Sequence, residues 1–103
     1  MAGASVAILV VDDEREVRTL LRKCFEREGF HVLEAKDGAQ LRARIEQHPI
    51  SLITLDLTLG GEDGLELARE IRAKCNVPIV MISGKGDTID RVVFVWVRRR
   101  NCL

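Results

Sequence analysis

Three aspartates close two short apolar runs, and their placement is the chemistry most visible in this sequence. Ile8-Leu9-Val10-Val11 leads into Asp12-Asp13, and Leu52-Ile53-Thr54-Leu55 leads into Asp56. A third run, Val77-Pro78-Ile79-Val80-Met81-Ile82, ends at Ser83-Gly84. Short uncharged runs rich in β-branched residues read as strands buried on both faces. Parallel strands of this kind end on one edge of a sheet, where open α/β folds bind their ligands. Asp12, Asp13, Asp56 and Ser83 are therefore expected at one small site. Carboxylates that close together raise one another's pKa unless something positive intervenes. A hard divalent cation with oxygen ligands, such as Mg2+, would serve. A carboxylate beside such a cation can also act as a nucleophile and form an aspartyl phosphate. The plainer alternatives are that Asp12 and Asp13 cap the helix that follows, and that Asp56 opens a turn. Against them stands the recurrence of the pattern at several strand ends.

The elements that must position these residues alternate between strand and helix, which predicts an α/β doubly wound parallel sheet. Val17, Leu20, Leu21, Cys24 and Phe25 follow helical spacing, and Gly29 supplies a stop. His31 to Ala35 reads as a second strand. Asp37 can cap a helix that turns Leu41 and Ile45 inward, with Pro49 beyond its end. Asp63-Gly64 opens a helix expected to carry Leu65, Ala68 and Ile71 on its buried face, and Asp87-Thr88 can cap a fourth helix.

At 103 residues the chain fits one domain with a single modest core. Lys and Arg number 16, as do Asp and Glu, so net charge gives no argument for a nucleic-acid surface. Cys24, Cys75 and Cys102 are widely spaced and odd in number, without metal-ligand spacing or a disulfide framework. They read as reduced thiols of a cytoplasmic protein. No positive leader and no membrane-spanning apolar stretch is evident. A dinucleotide-binding loop is excluded because no G-x-G-x-x-G follows the first strand, and Gly84-Lys85-Gly86 is too short for a phosphate loop.

Val10-Val11-Asp12-Asp13-Glu14, the segment Asp56-Leu57-Thr58-Leu59-Gly60-Gly61-Glu62-Asp63-Gly64, and Pro78-Ile79-Val80-Met81-Ile82-Ser83-Gly84 together resemble the receiver domain of two-component response regulators. The resemblance runs from about residue 5 to about residue 93 in the family's order. It implies a flavodoxin-like sheet of strand order 2-1-3-4-5. It implies that Asp56 is the phosphoacceptor for a sensor histidine kinase, and that Asp12 and Asp13, with Asp56 and the Thr58 main-chain carbonyl, hold Mg2+. It implies that Ser83 is the switch hydroxyl, and that the domain drives an effector, most simply a DNA-binding transcriptional one, without touching nucleic acid or membrane itself. Such a domain is a signalling phosphoacceptor and not an enzyme in its own right. Gly60 stands where many relatives have proline, which is expected to loosen that loop.

The end of the chain departs from the family. A fifth strand closing in lysine-proline and a fifth helix are expected, yet no lysine follows Lys85. The reading is thus one domain over residues 1–103, incomplete after about residue 93, with the fifth strand and helix missing or altered. Val92 to Val97 fit a fourth helix by spacing and a strand by composition; Arg98 to Arg100 would suit a helix C-terminus. An open fourth strand predicts a homodimer or swapped assembly through Val92 to Val97. The rival function is a receiver-fold interaction module that takes no phosphoryl group. A phosphohydrolase with an aspartate nucleophile is disfavoured, because the second position after Asp56, where such enzymes place an acid, is Thr58.

Overall fold

The computed structural model describes residues 6–82. Ser83, Lys85, the cap at Asp87-Thr88, the segment Val92 to Val97 and the arginines Arg98 to Arg100 lie outside the described residues, and so does the expectation that a fifth strand and helix are missing or altered.

The described elements are β1 (Ala7–Val11), α1 (Arg15–Arg27), β2 (His31–Ala35), α2 (Gly38–Gln47), β3 (Leu52–Asp56), β4 (Thr58–Leu59), β5 (Glu62–Asp63), α3 (Gly64–Lys74) and β6 (Ile79–Ile82). Four strands form a parallel sheet in the order β2-β1-β3-β6, while β4 and β5 pair separately as a short antiparallel ribbon. Counting only the sheet strands, this is the expected 2-1-3-4. The register sets Val11 opposite Leu55 and Asp56 opposite Ile82. Asp12, one step beyond Val11, therefore reaches the same edge as Asp56.

The sheet is covered on both faces. On one, Leu9, Val11, Ile53, Leu55, Ile79 and Met81 pack with Leu41 of α2 and with Leu67, Ala68 and Ile71 of α3. On the other, Ile8, Val10 and Val32 pack with Leu21 and Phe25 of α1, and Phe25 meets Phe30 edge to face. Each fully buried aliphatic side chain contributes roughly 1.5–3 kcal/mol by leaving water.

Helix ends follow local chemistry. Asp37 caps α2 by accepting from Gln40 N at 2.9 Å. Gly29, at φ +96°, ends α1: its N–H donates to the Glu26 carbonyl and that of Phe30 to the Phe25 carbonyl, the paired bonds of a left-handed helix stop. Two inward faces differ from expectation. In α1 Leu21 and Phe25 pack on the sheet while Leu20 and Cys24 are exposed, because those two sit on the flank of the apolar stripe, beyond the contact. In α3 Leu67, not Leu65, is the buried leucine. With Gly64 in the first turn pressed against the β3 end, Leu67, Ala68 and Ile71 face the sheet and Leu65 turns outward.

Candidate metal centre

Asp12, Asp13 and Asp56 each bring a carboxylate oxygen to one place, all within 4.8 Å of one another. Asp12 is buried, Asp56 half-buried and Asp13 exposed. The Asp12 carboxylate accepts from Glu14 N at 2.9 Å, a local turn that fixes the side chain at the strand end. The N-cap of α1 is Glu14, with no side-chain cap bond, so neither aspartate caps that helix. Burial pushes the Asp12 carboxyl up to about 6, opposed by the Glu14 N–H and reinforced by the charges of Asp56, Asp13 and Glu14. Arg18 stands at the same strand end, but its Nη1 donates to the Asp12 main-chain carbonyl at 2.8 Å and its Nε to Glu34 at 2.9 Å. Arg22 joins Glu34 at 2.8 Å. This pair of arginines on one glutamate ties α1 to β2.

The donor set suits a hard cation. Oxygen-only ligands with negative charge in excess, one of them desolvated, are what Mg2+ and Ca2+ prefer over the nitrogen and sulfur sets of zinc or copper.

At the β3 end the chain is held tightly. Leu57 N donates to the Ile82 carbonyl at 3.1 Å, and Gly64 N to the Leu57 carbonyl at 2.8 Å. Thr58, exposed, donates its N–H to Asp56 Oδ1 at 3.3 Å. Between them β4 and β5 close a two-residue turn at Gly60-Gly61, with Gly60 at φ +56°. Proline cannot adopt that φ. Glycine here closes a tight hairpin, as turns with positive φ require.

Sequence reasoning brings Asp12, Asp13 and Asp56 together correctly and sets Thr58 beside them. Ser83 follows Ile82, opposite Asp56 in register, but is itself outside the described residues. Three contributors went unread. Gly64 has no room for a side chain: a Cβ there would collide with the Asp56 carbonyl oxygen and stand 2.8 Å from that of Leu57. Asp63-Gly64 signalled only a helix start. The Arg18–Glu34 pair and Glu62, whose Oε1 accepts from Gly38 N at 2.8 Å, are long-range contacts that no local pattern announces.

A family model for the response regulator receiver domain matches residues 8–100. The chain belongs to this family. This receiver domain is 38% identical over 86 residues to the aerobic respiration control protein ArcA of Escherichia coli strain K12, covering 84% of this chain and 36% of ArcA. It is 45% identical over 85 residues to the transcriptional regulatory protein ResD of Bacillus subtilis, covering 82% of this chain and 35% of ResD. It thus spans little more than a third of those relatives. Among solved structures it is similar to the response regulator protein TrrA of Thermotoga maritima in complex with Mg(2+)-BeF, with a TM-score of 0.72 and 33% identity, covering 79% of this chain and 71% of that one. No described helix of this receiver domain is long and apolar enough to cross a membrane.

Proposed function

We propose that this receiver domain accepts a phosphoryl group on Asp56 from a histidine kinase. Mg2+ would be held by Asp12, Asp13, Asp56 and the Thr58 main-chain carbonyl. The observation that carries the reading is the convergence of three carboxylate oxygens within 4.8 Å at the carboxyl edge of the sheet. When bound, Mg2+ supplies positive charge to offset the acids and the oxygens of the incoming group.

The residues divide the work. An Asp56 carboxylate oxygen forms the new O–P bond as the P–N bond to the kinase imidazole breaks, and the electron pair leaves on the imidazole nitrogen. Asp12 and Asp13 would hold the cation and, following directly on β1, set its place relative to Asp56 at the end of β3. The Thr58 N–H and the Gly64 packing keep the Asp56 carboxylate and its main chain still, which is where a loosely associated transition state gains most. Ser83 is assigned the hydroxyl that meets the phosphoryl group and couples it to the output. That output is transcriptional, by analogy with ResD, through an effector domain in the same protein or a partner receiver, in the cytoplasm. A single domain over residues 1–103, incomplete after about residue 93 and forming a homodimer or swapped assembly through Val92 to Val97, completes the proposal.

Incubation of the full chain with Mg2+ and acetyl phosphate, read by intact mass, tests it. One phosphoryl adduct, not formed when Mg2+ is left out and absent in Asp56→Asn, is the expected result. A folded chain that binds Mg2+ and takes no adduct would instead identify an interaction module.

A further inference from the structure

The β4–β5 hairpin hangs beside the acid cluster, and two paired residues per strand cannot hold it there alone. Its root is fixed by Gly64 N on the Leu57 carbonyl, and Leu59 is buried in the core. Its tip lies against the site: a Cβ at Gly60 would stand 3.5 Å from Asp13 Oδ2. Its second strand is anchored by Glu62, whose Oε1 accepts the Gly38 N–H at 2.8 Å. Gly38 is the first residue of α2, where an N–H has no partner within the helix and the helix dipole favours a carboxylate. Arg42, one turn further along α2, adds an attractive charge to Glu62 while its guanidinium is bonded to Glu70.

We propose that Glu62 is a positioning residue for the cation site. Its bond to the α2 N-terminus holds the hairpin so that the Gly60 tip stays against Asp13 and the main chain at Thr58 stays beside Asp56. The inference rests on the cation reading above, but it concerns binding and not transfer. Glu62 touches neither cation nor phosphoryl group. Its effect is on how well the oxygen ligands are pre-arranged, as residues outside a metal's immediate ligands often are. A glutamine at 62 keeps the acceptor oxygen and should keep the anchor; an alanine removes it.

The test uses Mn2+ as the probe, titrated into the metal-free full chain by calorimetry, with Glu66→Ala as a control that removes a nearby exposed acid. Glu62→Ala should weaken Mn2+ binding about tenfold, while Glu62→Gln and Glu66→Ala stay close to wild type. Equal weakening by Glu62→Ala and Glu66→Ala would reduce the effect to net charge and overturn the proposal. So would a folded Glu62→Ala chain with unchanged affinity. A second measurement needs no variant. Coupling is reciprocal, so a hairpin that helps hold the cation must itself be held more firmly when the cation binds. Hydrogen exchange at the Gly38 amide of the wild-type chain should slow when Mg2+ is added; an unchanged rate with Mg2+ bound would overturn the proposal. A wild-type chain that binds neither cation removes the cation reading itself, whereas cation binding indifferent to Glu62 removes only this inference.

Discussion

The interior of the sheet and its carboxyl edge lie one residue apart and obey opposite rules. Along β1 and β3, Leu9, Val10, Val11, Ile53 and Leu55 are essentially inaccessible and uncharged. At the next position each strand turns to aspartate, and three like charges gather within 4.8 Å. The interior is a set of mutually supporting contacts. The edge is a set of conflicts, held together because the strand ends of the interior set the acids side by side. Stability and function are therefore separable in this domain, and substitutions on either side of the boundary should behave differently.

The largest expected effect is in the interior. Leu41→Ala, at a side chain with no exposed surface, should cost about 2–5 kcal/mol in urea unfolding. The Mn2+ affinity of the folded fraction should not change; a large loss of affinity there would erase the boundary. At the edge the signs reverse. Asp13→Asn should weaken Mg2+ binding by at least about tenfold, roughly 1.4 kcal/mol, yet raise the melting temperature of the metal-free chain by removing a like charge. A lower metal-free melting temperature would contradict the conflict described here.

Acidity sharpens the same comparison. Asp12 is raised from 3.8 to about 6, so between those values the native chain holds more proton than the unfolded one. Its contribution to metal-free stability is accordingly complete below about 4 and is lost as pH rises through about 6. Mg2+, which binds the ionised carboxylate, should restore stability most above that range. Thermal melts of wild type and Asp12→Asn from pH 4 to 7, with and without Mg2+, would show whether this pH dependence belongs to Asp12. The smallest effect tests an inconsistency in the interior. Thr54 is buried and its hydroxyl has no hydrogen-bond partner among the described residues. Thr54→Val should be neutral or stabilising by about 1 kcal/mol in the same unfolding assay. A loss beyond that would mean the hydroxyl has a partner in solution.

What was legible in the sequence follows the same division. The strands and the convergence of Asp12, Asp13 and Asp56 could be read because apolar runs ending in acids are local patterns with one edge to share, whereas the strand order was implied only by the resemblance to receiver domains. The Asp37 cap was equally local. The wrong details came from geometry that spacing does not encode. An apolar stripe on α1 is wider than the surface it meets, so Leu20 and Cys24 remain outside. The close approach of Gly64 to the β3 end rotates α3 so that Leu67 replaces Leu65 in the core. Gly60 read as a missing proline, but its significance is a positive φ closing a hairpin. Glu62 and Arg18 act through partners 24 and 16 residues away, which a single sequence cannot pair.

The central claim, that the edge exists to place Asp56 for phosphoryl capture, is tested most directly by locating the modified residue. The full chain is treated with Mg2+ and acetyl phosphate, the acyl phosphate is reduced with borohydride, and the resulting peptides are weighed. The account predicts a single modified position, Asp56, with Asp12 and Asp13 untouched. Modification spread over all three aspartates, or found on Asp12 or Asp13 alone, would contradict it.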